Sequence, residues 1–209
     1  MDWICPKCAD VSRHELSSAG VTAPYCGQCP GERLFRRLPL FVVTGPSGVG
    51  KSTVAADVVA APEAPDAVYL DSDTLLVEGL TDRGWDAYRD VWVWTCANIA
   101  QSGRPVVLFG GGDPIEFARA SRIDHFSSTH YMALTCDEDE LRRRLIARPA
   151  WRKSAEPVFM QAMVDWNARL TTGQDDSGVT WDVLNTSTGS RAATVRAVAR
   201  WVGDHWPEQ

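Results

Sequence analysis

Lysine is scarce in this sequence, and arginine carries almost all of its positive charge. Lys7, Lys51 and Lys153 are the only lysines among 21 basic residues. Aspartate and glutamate together number 27, so the net charge at pH 7 is -6. This acidic balance argues against a protein whose main role is to bind nucleic acid, although it leaves room for local basic patches.

Long apolar runs are also missing, and none approaches the length of a membrane-spanning segment. Residues 1–5 lack the basic and then apolar pattern that marks a secretion signal. The sequence contains no internal repeat and no low-complexity segment. From these absences we expect a cytoplasmic protein without a membrane partner. Its 209 residues are enough for one domain with a full core and a small appendage.

One stretch, GPSGVGKS at positions 45–52, is a complete G-x4-G-K-S phosphate-binding loop. An apolar run at 40–43 precedes it and a helix-prone segment at 52–60 follows it, which is the strand–loop–helix context that the motif requires. The glycines allow the backbone to turn its N–H groups toward phosphates, and the helix N-terminus adds partial positive charge beneath them. We therefore predict a site for a nucleoside triphosphate.

The loop residues have separate expected parts in that site. The side chain of Lys51 should reach the β- and γ-phosphates, and the hydroxyl of Ser52 should coordinate Mg²⁺. The residues predicted to bind the nucleotide are Gly45, Ser47, Gly48, Val49, Gly50, Lys51, Ser52 and Thr53.

Five short apolar segments alternate with helix-prone segments along the chain. The predicted strands lie at 40–43, 67–70, 105–109, 131–136 and 181–184. This alternation predicts an α/β fold with a five-stranded parallel sheet and helices on both faces. In such a sheet, ligands bind beyond the C-terminal ends of the strands, where the phosphate loop already lies. The helix predicted at 86–100 is expected to bury a face made of Tyr88, Val91, Trp92, Thr95 and Ile99.

The residues that follow the second and third strands narrow the choice of chemistry. Asp71 and Asp73 follow the second strand, and three glycines at 110–112 follow the third. Neither the Asp-Glu of a mechanical ATPase nor the Asp-x-x-Gly and Asn-Lys-x-Asp of a GTPase occurs where it would be required. Two interpretations of the aspartates stay open, an active-site pair or the cap of a helix that begins near Thr74. Asp113 is expected to cap a helix rather than to act in catalysis.

This order of motifs resembles the small-molecule and nucleoside-monophosphate P-loop kinases over about residues 40–201. The Asp-x-Asp is similar to the pair in shikimate- and gluconate-kinase-like enzymes. The resemblance implies an ATP-dependent kinase that transfers the γ-phosphate to a hydroxyl or phosphate of a small molecule, such as a nucleoside, a nucleotide or a sugar-like metabolite. It also implies that Asp71 helps to hold Mg²⁺, and that Asp73 orients the acceptor hydroxyl and takes its proton.

An arginine-rich segment at about 141–155 resembles the lid that closes over the triphosphate in such kinases. Arg148 and Arg152 are the arginines expected to neutralise transition-state charge, and Arg144 lies one helical turn before Arg148. The turn at 185–189 occupies the place that packs on adenine in this group. Further expectations are surface ion pairs of Arg142 and Arg143 with Glu138 and Asp139, and an acceptor pocket near Arg83, Trp85 and Arg89.

Four cysteines form a second motif near the N-terminus. They make two C-x2-C pairs, at Cys5, Cys8, Cys26 and Cys29. In a reducing compartment such cysteines are thiolate ligands more often than disulfides, and two pairs complete a closed, structural Zn²⁺ site. The motif resembles a zinc ribbon, so we expect a ribbon at 1–38 and a P-loop kinase domain at 39–209. Cys96 and Cys136 lack partners at ligand spacing and are expected to be core thiols.

The ribbon also supports an alternative function. A nucleic-acid-directed P-loop protein, similar to a polynucleotide 5'-kinase, would use the ribbon for docking. Arg33, Arg36 and Arg37, between ribbon and core, favour that function, but a solvated linker accounts for the same arginines without any ligand. The acidic net charge favours a small-molecule acceptor. The sequence does not indicate an oligomeric state.

Overall fold

The computed structural model describes residues 2–4, 11–13, 37–75 and 81–206. In the first two of these segments, β1 (Asp2–Ile4) and β2 (Val11–Arg13) pair as antiparallel strands. The residues outside the described segments include Cys5, Cys8, Cys26, Cys29, Arg33 and Arg36. The zinc site and the role of those two arginines therefore stay predictions.

A five-stranded parallel sheet forms the centre of the described chain, which confirms the predicted fold class. Its strands are β3 (Leu40–Thr44), β4 (Val68–Asp71), β5 (Val106–Phe109), β6 (Thr129–Thr135) and β7 (Asp182–Asn185). They lie in the order β4-β5-β3-β6-β7, and every neighbouring pair is parallel. The strand that leads into the phosphate loop, β3, is therefore central, with β4 at one edge and β7 at the other.

Helices cover both faces of this sheet. They are α1 (Lys51–Val58), α2 (Trp85–Ala100), α3 (Pro114–Ala118), α4 (Glu138–Ile146), α5 (Pro157–Leu170) and α6 (Arg191–Asp204). Short 3-10 helices lie at Ser72–Leu75, Ile123–His125 and Ala150–Arg152. No helix in the described part of the chain is long and apolar enough to cross a membrane.

The two faces of β3 contribute to two separate hydrophobic clusters. Phe41 and Val43 belong to a cluster that includes residues of α1 and α6, whereas Leu40 and Val42 belong to one that includes residues of α2. All four side chains are 0% exposed. A strand that is buried on both faces has an unbroken apolar run in its sequence, so this strand could be predicted from the sequence alone. The phosphate loop therefore follows a strand that is fixed from both sides.

The set of residues that α2 buries differs from the predicted set. Tyr88 and Trp92 are buried as predicted, but Val91 is 38% exposed. Arg89 and Val93 are buried instead. The prediction was wrong for Val91 because it followed the apolar residues, whereas the helix buries an arginine.

Arg37, at the end of the linker, contacts the core. Its Nη2 donates a hydrogen bond of 2.8 Å to the carbonyl oxygen of Phe126. Arg37 is half-buried, so it is not the freely solvated linker residue that one interpretation expected. The two remaining cysteines are core thiols, as expected. Burial raises the pKa of Cys96 to about 12 and also raises the pKa of Cys136.

Candidate active site

The phosphate loop makes a tight turn that requires glycine. Gly45 has a φ of 144°, and a Cβ atom there would lie 2.3 Å from the carbonyl oxygen of Leu134 on β6. Gly48 has a φ of 92°, in the left-handed region that residues with a side chain avoid. The loop thus lies directly against β6, and α1 begins at Lys51 with Gly50 as its N-cap. This confirms the predicted strand–loop–helix geometry, in which free N–H groups of the helix face the loop.

Lys51 bends back over the loop. Its Nζ donates to the carbonyl oxygens of Gly45 and Pro46, at 2.6 Å and 3.1 Å. Burial lowers the pKa of Lys51 to about 8, while the nearby charge of Asp73 opposes that shift and the charge of Arg148 adds to it. The result is a partly desolvated ammonium inside the curve of the loop, where phosphate oxygens would meet it.

Asp71 and Asp73 have different surroundings although one residue separates them. Asp71 ends β4, and its Oδ1 accepts a hydrogen bond of 3.0 Å from the backbone N–H of Asp73. The Thr74 hydroxyl donates to the backbone oxygen of Asp71 at 2.7 Å, so Asp71 starts the 3-10 helix Ser72–Leu75. The Asp73 side chain is exposed, and no described residue donates a hydrogen bond to its carboxylate. The cap interpretation therefore holds for Asp71, whereas Asp73 caps no described residue and its part in catalysis stays a prediction.

The aspartate turn is held by Tyr88 of α2, which the sequence assigned only to the core. The Tyr88 hydroxyl donates to the backbone oxygen of Ser72. Burial raises the pKa of Tyr88, so the hydroxyl keeps its proton and remains a donor. On the other side of the turn, a Cβ atom at Gly110 would lie 2.5 Å from Ser72 Oγ. The first of the three glycines after β5 therefore permits the close approach of this turn.

Arg148 and Arg152 lie between α4 and α5, in the segment predicted as a lid. Burial lowers the pKa of Arg148, the charge of Arg152 lowers it further, and Asp73 opposes the shift. Arg152 is exposed, and its guanidinium lies 4.6 Å from the ring centroid of Trp151. Trp151 itself is 74% exposed. The structure thus brings Arg148 into the electrostatic range of Asp73 and Lys51, and it brings Arg152 into the range of Arg148 while the Arg152 guanidinium lies over the exposed indole of Trp151.

The segment free to act as a lid is shorter than the predicted 141–155. Residues 141–146 belong to α4, whose Leu141 and Leu145 are fully buried. At the other end Ser154 is buried, and its hydroxyl donates to the backbone oxygen of Leu145 at 2.9 Å. Only residues 147–153 lie between these two anchors.

Two arginines of α4 form ion pairs on its surface. Arg142 pairs with Glu138 at 2.8 Å, as expected. Arg143 pairs with Glu140 at 2.7 Å, so the expected pair with Asp139 was wrong.

Arg144 joins the phosphate loop to the far edge of the sheet. Its Nη1 and Nη2 donate to the hydroxyl and backbone oxygen of Thr186, each at 2.9 Å. The Thr186 hydroxyl lies 3.1 Å from the carbonyl oxygen of Val49 in the loop and 3.0 Å from that of Thr135 on β6, and it can donate its one proton to either. This network connects the loop with the turn at 185–189, where adenine was expected to pack. Sequence reasoning missed Thr186 because that turn carries no distinctive motif.

Asp113 caps α3, as predicted. Its side chain and that of Glu116 form a reciprocal capping box with the backbone. Arg169 also donates to Asp113 Oδ2, from Nε at 3.1 Å and Nη2 at 3.0 Å. With these partners, Asp113 is a structural group rather than a free base.

The three residues expected near the acceptor lie in or just before α2 and have different surroundings. Trp85 is 57% exposed and packs edge-to-face on Tyr88, with ring centroids 5.7 Å apart. Arg89 is only 5% exposed. Arg83 instead lines an open cavity of about 310 Å³ with Trp94. Of the three, Trp85 and Arg89 are on the side of the aspartate turn.

Four charged side chains from separate parts of the chain act on one another at the C-terminal edge of the sheet. Lys51 comes from α1, Asp71 and Asp73 from the end of β4, and Arg148 from the lid. The charges of both aspartates raise the pKa of Lys51, against the dominant effect of burial, and the charge of Arg148 lowers it. This arrangement can bind a triphosphate and present a free carboxylate beside it.

The residues predicted to hold Mg²⁺ have suitable chemistry. Ser52 lies exposed in the first turn of α1, and Asp71 keeps one carboxylate oxygen without a partner among the described residues. Hydroxyl and carboxylate oxygens are ligands that Mg²⁺ prefers, and this ion usually keeps several waters. Within the described residues, no group of three or more His, Cys, Asp or Glu side chains is placed to hold a metal ion.

Solved structures of several kinases have a similar fold. A sugar kinase from Janibacter sp. HTCC2649 is 15% identical with a TM-score of 0.56, over 79% of this chain and 95% of that one. A gluconokinase from Sinorhizobium meliloti 1021 is 21% identical with a TM-score of 0.52, over 81% and 94%. A shikimate kinase from Bacteroides thetaiotaomicron is 18% identical with a TM-score of 0.51, over 79% and 98%. No family model and no curated protein matches this chain. At these identities the likeness establishes the fold.

Proposed function

We propose that this protein is an ATP-dependent kinase that transfers the γ-phosphate to a hydroxyl of a small molecule. The observation that carries the proposal is the free carboxylate of Asp73 beside the phosphate-binding Lys51 and the lid residue Arg148. Structures with a similar fold include a sugar kinase, a gluconokinase and a shikimate kinase, which supports the same reaction class.

In this proposal the loop and the lid bind the triphosphate from two sides. The loop N–H groups and Lys51 bind the β- and γ-phosphates, and Arg148 and Arg152 neutralise charge on the transferred group. Ser52 and Asp71 are the protein groups that would hold Mg²⁺, which supplies further charge neutralisation when bound.

Asp73 acts on the acceptor. Its carboxylate accepts a hydrogen bond from the acceptor hydroxyl, which aims the oxygen at the γ-phosphorus. The new oxygen–phosphorus bond forms as the bond from that phosphorus to the bridging oxygen of ADP breaks. The hydroxyl proton passes to Asp73 and then to solvent. Because such a transfer needs little covalent help, positioning by a carboxylate is the main contribution required.

The test is transfer of labelled γ-phosphate from ATP to a panel of nucleosides, sugars, amino-sugar antibiotics and oligonucleotides. We expect label in a small hydroxylated compound, and no transfer by Lys51→Ala, because no other loop side chain supplies that charge. Circular dichroism should show that the variant keeps its fold. Label confined to oligonucleotides would favour the nucleic-acid-directed alternative, and label found only in inorganic phosphate would contradict a kinase.

We also propose that Cys5, Cys8, Cys26 and Cys29 hold one structural Zn²⁺ in a ribbon at 1–38, ahead of the kinase domain at 39–209. The spacing of the cysteines supports this proposal. So does the antiparallel pairing of β1 with β2, since the first C-x2-C pair lies between these strands in the chain.

A further inference from the structure

The first turn of α2 extends beyond the hydrophobic core toward the aspartate turn. Trp85, Tyr88 and Trp92 follow one another at helical spacing on one face. Tyr88 and Trp92 are both 3% exposed, whereas Trp85 is 57% exposed. The Tyr88 hydroxyl bonds Ser72, which lies between the two aspartates, so the indole of Trp85 lies one ring away from that turn. Trp85 is therefore an open aromatic surface that packs on the tyrosine holding the aspartate turn.

Arg89 lies beneath this surface with its charge already paired. A Cβ atom at Gly112 would lie 3.4 Å from Arg89 Cδ, so the arginine packs against the end of β5. One terminal nitrogen pairs with Asp86, and the other lies 3.2 Å from Glu116 Oε2. Its Nε has no partner among the described residues. The guanidinium thus faces two carboxylates and has no net positive charge to offer a further anion.

We name the group Asp73, Trp85, Asp86, Arg89 and Glu116 the acceptor rim. It contains three carboxylates and one guanidinium. Among the described residues, Lys51 and Arg148 are the cations whose pKa values the charge of Asp73 raises, and the proposed function assigns both to the triphosphate. An acceptor that carries its own carboxylate or phosphate would therefore enter a region of like charge.

We propose that the acceptor is an uncharged or amine-bearing polyhydroxy compound, and that one of its flat faces stacks on Trp85. This inference rests on the proposed function and specifies its substrate class. A sugar ring or nucleobase has an apolar face that an exposed indole can cover. A protonated amine would gain from both the carboxylates and the indole face. Trp85 and the two partners of Arg89 then determine specificity, while Asp73 acts on the hydroxyl.

Binding of matched compounds tests the charge preference directly. The probes are sorbitol against gluconate, methyl shikimate against shikimate, uridine against uridine 5'-monophosphate, and glucosamine against glucose. Titration calorimetry on protein saturated with Mg²⁺ and a non-hydrolysable ATP analogue measures each affinity. We expect the uncharged or cationic member to bind at least about tenfold more tightly than its anionic partner, since one unscreened charge pair is worth about that factor. Glucosamine should bind at least as tightly as glucose.

Two sets of variants separate the rim from general effects. The double variant Asp86→Asn with Glu116→Gln removes both carboxylates that pair with Arg89. It should abolish or reverse the preference for uncharged and cationic compounds. The fold should persist, because glutamine at position 116 can still complete the capping box of α3. Trp85→Ala should weaken binding of the preferred compound about tenfold. Trp94→Ala is the matched control, because Trp94 is 46% exposed on the opposite side of the same helix. It should change nothing.

Tighter binding of the anionic members, or equal binding of both, would overturn the inference. So would affinities that Trp85→Ala leaves unchanged. A different result would contradict the proposed function. A compound that binds in a Trp85-dependent way but receives no phosphate from ATP would contradict the kinase and leave the rim intact.

Discussion

Lys51 is a single residue whose burial, in the place proposed for phosphate binding, lowers the stability of the fold. Burial lowers its pKa from 10.5 to about 8, so the folded chain holds this proton less tightly than the unfolded chain. Below pH 8 the group is charged in both states, and its desolvation in the fold opposes folding in full. Between these two pKa values the unfolded chain binds more protons, so the contribution of Lys51 to stability rises with pH. A phosphate site needs this charge even though the empty fold does not.

Lys51→Met should therefore stabilise the protein near neutral pH. The variant removes the charge and keeps an unbranched chain, so its free energy of unfolding should rise by at most about 3 kcal/mol, reduced by the two lost hydrogen bonds to the loop. The gain should shrink as the pH rises from 8 toward 10.5. Thermal unfolding of both proteins at several pH values measures it. Lys153→Met, at an exposed lysine, is the control for loss of a lysine charge. A variant less stable than wild type near neutral pH would contradict the expectation.

Residue identities at the loop were predictable because the motif fixes their spacing in the chain. The division between Asp71 and Asp73 was not predictable. It depends on which carboxylate accepts the N–H group two residues later, and both interpretations place the same aspartates at the end of the same strand. The partners of Arg89 were also hidden, since Glu116 is brought to it by the sheet rather than by sequence proximity.

Among the elements, α4 and the segment after it combine a fixed part with a short lid. Arg144 belongs to the fixed part, because it bonds Glu140 and Thr186 and lies beside the phosphate loop. The side chain of Arg148 donates no hydrogen bond to a described residue, and its charge faces Lys51 and Asp73. The two arginines are four residues apart, but we expect Arg144 to stabilise the fold and Arg148 to act on the triphosphate.

Paired alanine variants should separate these two arginines. Arg148→Ala should lower kcat about a hundredfold, the usual scale for removing one group that stabilises transition-state charge, with little change in Tm. Arg144→Ala should lower the free energy of unfolding by about 1–3 kcal/mol, because it leaves buried acceptors of the Thr186 network without their donor. Steady-state kinetics and thermal unfolding of both variants measure these effects. Equal loss of stability in both, or unchanged turnover in Arg148→Ala, would refute the division.

The positions of elements with a clear hydrophobic pattern were predicted correctly. Which of their faces are exposed was less predictable. All five strands lie within two residues of the predicted bounds. The central strands β3 and β5 are buried apolar runs, whereas the edge strand β4 is half-buried and the edge strand β7 is mostly exposed. For α2 the pattern gave the helix but missed the burial of Arg89, because hydrophobic periodicity does not register a charge neutralised by neighbours. The predicted lid was too long for a related reason. Its many arginines indicated an exposed segment, although the leucines between them are buried in α4.

At the scale of the whole molecule, the proposed ribbon and the sheet domain should respond differently to metal removal. Because metal binding in such small sites is largely folding energy, a chelator should unfold the N-terminal segment and leave the sheet domain intact. Hydrogen exchange on the full chain should then show faster exchange only before residue 39. Elemental analysis should give one zinc per chain before treatment. Protein that contains neither zinc nor iron would rule the ribbon site out.

The fold as a whole followed from the alternation of strands and helices. The loop predicted a nucleotide site, and the residues after the second and third strands, with the resemblance they carry, predicted kinase chemistry. The acceptor could not be inferred in the same way, because the site proposed for it combines α2, α3 and the ends of β4 and β5, which are distant in sequence. Only the assembled structure brings Trp85 and the paired Arg89 to the aspartate turn. Substrate class is therefore a property of the tertiary arrangement here.

The most direct test of the account is the rate of γ-phosphate transfer by Asp73→Asn on the acceptor found in the screen. We expect a loss of about a hundredfold or more with ATP affinity almost unchanged, because Asp73 acts on the acceptor hydroxyl and the loop binds the triphosphate. Asp71→Asn is the matched control, and it should instead raise the Mg²⁺ concentration needed for activity. Near-wild-type transfer by a folded Asp73→Asn protein would contradict the central claim that this carboxylate and the phosphate loop form one active site.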